Sequence, residues 1–127
     1  MKNFLLVAAG GGIGASARYF LSTIISLNIS GHKFPFGTFA VNTLGCLIAG
    51  VVIGLAERGS IFNSQCRLFI ITGILGGFTT FSAFGIETTA LIKEREPLIA
   101  ALYIILTMIV SLALLWTAYR LLAVNSN

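Results

Sequence analysis

The sequence predicts an all-α membrane protein of four transmembrane helices, the third of them broken. Three observations carry this. Of the 127 residues 57% are hydrophobic and 9% charged, whereas a soluble domain carries about 25% charged residues, so a water-facing surface has too few charges to cover it. Four apolar stretches, residues 3–27, 34–56, 68–92 and 97–119, reach the roughly 20 residues that a spanning helix needs. The third contains Gly76-Gly77-Phe78-Thr79-Thr80-Phe81-Ser82-Ala83-Phe84, where a plain anchor would hold Leu, Ile and Val.

The first span is interrupted only by Arg18, past its middle. A charge near the bilayer centre costs at least about 2.5–3.5 kcal/mol. Arg18 therefore either snorkels to the headgroups or forms a cationic vestibule that gathers anions. Gly10, Gly11, Gly12 and Gly14 suit close helix packing. A cleavable signal peptide fits poorly, because residues 4–9 are short for its apolar region and glycines follow at once.

Asn28-Ile29-Ser30-Gly31-His32-Lys33 form the first turn, and the second span carries no charge. Asn42 brings an amide with donors and an acceptor, which reads either as interhelical glue or as a pore-lining donor. Gly45, Gly50 and Gly54, with Ala49, line up small residues for packing, and Gly50 and Gly54 form a Gly-x-x-x-Gly pair.

The next connection opens Glu57-Arg58-Gly59-Ser60, and the third span holds one charge, Glu87. Its paired glycines each lower helix propensity by about 1 kcal/mol, and its threonines add crowding, so a break or distortion is expected. Broken helices at membrane depth are tolerated where protein or water satisfies the backbone and often mark ion or substrate sites. Phe81 and Phe84, three apart, share a helix face. Beyond ordinary packing, a phenyl ring has a positive edge that contacts an anion without holding it too tightly for conduction. Glu87 is read as partner to Arg18 or a backbone group, or as lying near the interface.

Lys93-Glu94-Arg95-Glu96 precede Pro97, which suits a first helical turn. In the fourth span Tyr103, Thr107 and Ser111 recur every four residues as a hydroxyl stripe that stops at Leu115. They either bond back to the i−4 carbonyls or line a path as donors.

Basic residues of short loops set orientation, and here they do not decide it. One side would hold Lys2, Arg58, Arg67 and Arg120, the other Lys33, Lys93 and Arg95, plus Arg18 if it snorkels that way. Either one topology is fixed by something else, or identical chains insert both ways and pair antiparallel. Four spans enclose a pore poorly, which favours an oligomer. The chain has no dense basic patch for nucleic acid. One His and no Asp argue against a metal enzyme or Ser-His-Asp hydrolase, and Cys46 and Cys66 lack metal-like spacing. No soluble domain or long linker is expected within residues 1–127.

Together these motifs resemble the Fluc (CrcB) family of fluoride channels across essentially the whole chain. They run in order: Gly10-Gly11-Gly12-Ile13-Gly14 leading to Arg18-Tyr19, Gly37-Thr38 with Val41-Asn42, then Thr72-Gly73 and the Gly76 to Phe84 segment with Glu87. The resemblance implies a passive fluoride channel, not an enzyme, that lowers cytoplasmic fluoride. It implies a multi-pass protein of the plasma membrane or bacterial inner membrane, an antiparallel, dual-topology homodimer with two pores. It places Phe81, Phe84, Asn42, Ser82, Tyr103, Thr107 and Ser111 on the fluoride path and Arg18 in the vestibule. It also implies a structural Na⁺ held by the backbone carbonyls of Gly76 and Thr79. The sequence departs from the family pattern at Leu115 and Val110, which points to a narrower or drier inner end of the polar track, and at Ala83 between the two phenylalanines. The competing reading, a small dual-topology multidrug or cation exporter, wants an acid in the first span, where this chain has Arg18. A purely structural protein would leave the Phe-rich break without purpose.

Overall fold

The computed structural model of the protein describes residues 1–58 and 63–123; Gly59 and Ser60, expected in the second connection, lie outside them. The regular elements among the described residues are all helical: α1 (Lys2–Asn28), α2 (Phe36–Glu57), α3 (Ser64–Arg67), a π-helical stretch (Leu68–Leu75), α4 (Gly76–Phe78), α5 (Phe81–Lys93) and α6 (Pro97–Ala123). Four helical segments are long and apolar enough to cross a membrane, the third being Ser64–Lys93 as a whole, with mean hydropathies from 1.4 to 2.8.

Local chemistry sets the boundaries. The second span begins at Phe36 rather than Phe34 because Pro35, at φ −78° and ψ 71°, makes an inverse γ-turn closed by Phe36 N–H on the Phe34 carbonyl at 2.9 Å. The third helical segment begins at Ser64 rather than Leu68, since Asn63 caps it by accepting from the Cys66 N–H at 2.8 Å. α5 ends in a Schellman motif. Glu96 N–H reaches the Leu91 carbonyl at 2.9 Å and Arg95 N–H that of Ile92 at 3.1 Å, with Arg95 left-handed at φ 62°.

Between apolar helices in lipid the hydrophobic effect gives no net drive, so close packing holds the bundle. α6 lies along α2, and α1 along the π-helical stretch and α4. Both seams are backbone against backbone. A Cβ on Gly50 would sit 2.2 Å from the Leu115 carbonyl oxygen, and one on Gly14 would sit 2.0 Å from that of Ile74. The adjacent glycines Gly76 and Gly77 are helical, within α4. Gly77 serves packing, since a Cβ there would lie 2.4 Å from the Gly11 carbonyl oxygen. α5 stands apart from α1 and rests on α6 and α2, where Phe84, Leu91, Ala100 and Tyr103 form a buried cluster.

Candidate functional site

The site is built around Thr79 and Thr80. Both are extended, at φ −75°, ψ 154° and φ −149°, ψ 119°, between the end of α4 and the start of α5. Backbone polar groups at this depth need partners, and side chains supply them. The Asn42 amide clasps the Thr80 residue from both sides: Nδ2 donates to the Thr80 carbonyl at 3.0 Å and Oδ1 accepts from the Thr80 N–H at 2.8 Å. In an unbroken helix that N–H would go to the Gly76 carbonyl. Arg18 Nη1 donates to the Thr79 carbonyl at 3.4 Å. Thr80 Oγ1 accepts from the Ala83 N–H at 3.2 Å, so Thr80 is the N-cap of α5, and it lies 3.2 Å from Ser82 Oγ.

Beside this junction lies a cavity of about 220 Å³ lined by Asn42, Thr80, Phe81, Phe84, Thr107 and Ser111, among others. Thr107 Oγ1 and Ser111 Oγ are buried and make no hydrogen bond of normal geometry among the described residues; the Cys46 thiol is the polar neighbour of Ser111. Neither hydroxyl therefore bonds back to its i−4 carbonyl. Thr43, Thr79, Thr88 and Thr89 all bond back to their i−4 carbonyls, at 2.8, 3.0, 2.7 and 2.9 Å. Thr107 and Ser111 do not. A buried hydroxyl left unpaired costs about 1–3 kcal/mol, and both residues line the cavity.

Tyr103, the third member of the stripe, is fully buried and does not line this cavity. Its hydroxyl donates to Glu87 Oε2 at 2.7 Å, and Thr38 Oγ1 donates to Glu87 Oε1 at 2.7 Å. Both carboxylate oxygens of Glu87 thus hold hydroxyl donors, and Arg18 turns to Thr79 instead. Arg18 and Ser82 line a separate hollow of about 380 Å³ that also takes in Thr38, Thr80 and Glu87; Thr80 borders both hollows. Phe84 is buried and Phe81 is 79% exposed, their ring centroids 5.6 Å apart.

Sequence reasoning did not select Thr38 and Thr80 as site residues. Thr38 stands in the Gly37-Thr38 motif, and Thr80 precedes a helix start, where threonine is a preferred cap; both signals were present. For Na⁺, Gly76 and Thr79 offer neutral oxygen donors of the kind hard cations prefer. The Gly76 carbonyl has lost its usual i+4 donor, while that of Thr79 is shared with Arg18. No cluster of three or more His, Cys, Asp or Glu suited to a metal occurs among the described residues.

Four helical segments of bilayer length define a class, a multi-pass membrane protein, and this one holds a cavity beside the Thr79–Thr80 junction. The chain belongs to the family described as CrcB-like protein, Camphor Resistance (CrcB), which matches residues 5–119. It is 43% identical to the fluoride-specific ion channel FluC of Methylobacillus flagellatus, over 95% of this chain and 94% of that one. It is 47% identical to the fluoride-specific ion channel FluC 2 of Nitrobacter hamburgensis, over 81% and 82%. With the fluoride-specific ion channel FluC of Chlorobaculum tepidum it shares 45% identity, over 82% and 81%.

Proposed function

We propose that this protein is a passive, fluoride-selective channel that lets cytoplasmic fluoride leave the cell, and that it works as an antiparallel homodimer with two pathways. The observation that supports the reading is the pair of buried hydroxyls of Thr107 and Ser111, neither bonded back to its own helix, on residues that line the cavity with Phe81 and Phe84. The names of the relatives agree with it. A small, strongly hydrated anion must exchange its water for several modest donors, because conduction needs binding that favours entry and permits exit. Thr107 and Ser111 supply two O–H donors. Asn42 keeps one amide N–H beyond the one given to Thr80, and phenyl edges add weak positive potential. Ser82 lines the neighbouring hollow with Arg18, the charge that gathers anions there, and Tyr103 reaches the path through its contact with Phe84.

Dimerisation is supported by the even division of basic residues and by the uncovered apolar face of α5, on which Phe81 is 79% and Ile86 71% exposed. A structural Na⁺ would be held by the Gly76 and Thr79 carbonyls. Two ligands from one chain fall short of a coordination shell, so a second copy must complete it; the ion would tie the two junctions together and supply fixed positive charge between them. The exporter reading is not favoured: α1 has no acid, and both oxygens of Glu87 are occupied by hydroxyls.

The test is ion efflux from liposomes carrying the purified protein. Rapid F⁻ release with Cl⁻ retained is expected. Release of both anions at one rate, or of neither, would overturn the proposal.

A further inference from the structure

The connection between α1 and α2 does more than join two helices. Lys33 Nζ donates to Glu96 Oε1 in an ion pair, and this hydrogen bond and the Glu96 charge raise the Lys33 pKa above its ordinary value. Glu96 is itself fixed, its N–H belonging to the Schellman motif that ends α5. The next residues, Phe34-Pro35-Phe36, form the γ-turn described above, and proline locks φ there. The loop is therefore stiff at Pro35 and tethered at Lys33 by an exposed pair, and the ring between these two points packs on the buried cluster of Phe84, Leu91, Ala100 and Tyr103.

That ring is Phe34. It meets Tyr103 edge-on, with centroids 5.3 Å apart and planes at 82°, and Phe39 at 5.6 Å and 72°. On its other side Tyr103 contacts the Phe84 ring at 5.1 Å, and Phe84 contacts Phe81 at 5.6 Å. Four rings thus form an unbroken series from the loop to the cavity wall. Tyr103 is the enclosed member, with no exposed surface and its hydroxyl committed to Glu87.

We propose that Phe34 is a positioning residue for the ion pathway: pinned by the Lys33–Glu96 pair, it holds Tyr103, and through Tyr103 it sets where the Phe84 ring stands at the cavity. This rests on the fluoride-pathway reading above. Edge-on contacts depend on ring polarity as well as bulk, so a leucine of similar volume does not replace Phe34 and a tyrosine does.

The test uses the full chain with two readouts. One is F⁻ and Cl⁻ efflux from liposomes. The other is NMR of protein labelled at the tyrosine ζ carbons, in which the Tyr103 resonance is identified by its loss in Tyr103→Phe. Phe34→Leu is expected to move the Tyr103 resonance and lower F⁻ flux by about tenfold, while the protein still assembles like the parent. Phe34→Tyr is expected to leave both near parent values. Glu96→Gln, which breaks the pair and leaves the number of basic residues unchanged, should also reduce flux and move the Tyr103 resonance. Parent-like flux and an unmoved resonance in Phe34→Leu would overturn the proposal, as would a moved resonance with parent-like flux. If Phe34→Leu does not assemble, Glu96→Gln decides: parent-like flux or an unmoved Tyr103 resonance overturns it. A parent that conducts no F⁻ defeats the fluoride reading, whereas the Tyr103 resonance reports on Phe34 alone.

Discussion

Replacing Thr107 with valine should make the protein more stable and less functional at once. Valine keeps the branched shape and removes only the hydroxyl, which is buried and partnerless. An unpaired buried hydroxyl costs about 1–3 kcal/mol, so Thr107→Val should recover up to that amount. At about 4 °C per kcal/mol for a chain of this size, melting should rise by up to about 12 °C. A water that bonds the hydroxyl removes this gain, because the substitution then breaks a made hydrogen bond. Function should change the other way. A hydrogen bond to a charged group is worth about 1.5–3 kcal/mol, which at 1.4 kcal/mol per decade predicts roughly ten- to hundredfold lower F⁻ flux. The control is Thr43→Val, comparably buried but with its hydroxyl bonded to the Phe39 and Ala40 carbonyls at 2.8 and 3.1 Å; it should leave flux unchanged. Thermal unfolding and liposome efflux on the same preparations give both numbers. A Thr107→Val protein that is less stable yet conducts like the parent would refute the reasoning, because the hydroxyl would then be a structural bond.

Phe81→Ile and Phe84→Ile keep much of the apolar bulk but lose the ring edge, so each should cut F⁻ flux strongly while the dimer still forms, as seen by efflux and size exclusion. Asn42→Ala strips the Thr80 N–H and carbonyl of their partner; at about 1–3 kcal/mol per stranded group it should destabilise by about 2–6 kcal/mol in thermal unfolding, and a small loss would mean that water substitutes. Arg95→Gly relieves a left-handed residue and should add about 1–2 kcal/mol. It also leaves two loop lysines on that side against four basic residues on the other, so C-terminal reporters should shift towards one orientation. Added Na⁺ should raise the melting temperature more than equal K⁺, and Thr79→Pro should abolish the difference while Thr79→Ala keeps part of it.

The four spans were legible because bilayer length and absence of charge are written in composition, with no need to know what packs on what. Their ends were less so: Pro35 turned the chain two residues into the expected span, and Asn63 capped a helical start among polar residues. At the third span, propensity directed attention to Gly76 and Gly77, yet the extended residues are Thr79 and Thr80. Glycine at a backbone contact and glycine at a break look alike in one sequence; only the Gly11 carbonyl beside Gly77 tells them apart. The hydroxyl stripe was visible as spacing. Spacing gives a shared face but not a partner, so nothing separated Tyr103, which turns to Glu87, from Thr107 and Ser111, which face the cavity. The ligands of Glu87 come from Thr38 and Tyr103, 49 and 16 residues away, a pairing that no local pattern encodes.

The glycine seam between α2 and α6 has a mechanical consequence. Where Gly50 meets the Leu115 carbonyl, no side chain stands between the helices to bend or change rotamer, so little compliance exists across that contact. α2 and α6 should then travel as a single rod, carrying Asn42 on one limb and Thr107 and Ser111 on the other at a constant separation. Whatever widening lets a solute past must come from α5 and its phenylalanines swinging against that rod. Spin labels placed on α2 and α6 should keep one narrow distance distribution under conditions in which a label on α5 broadens.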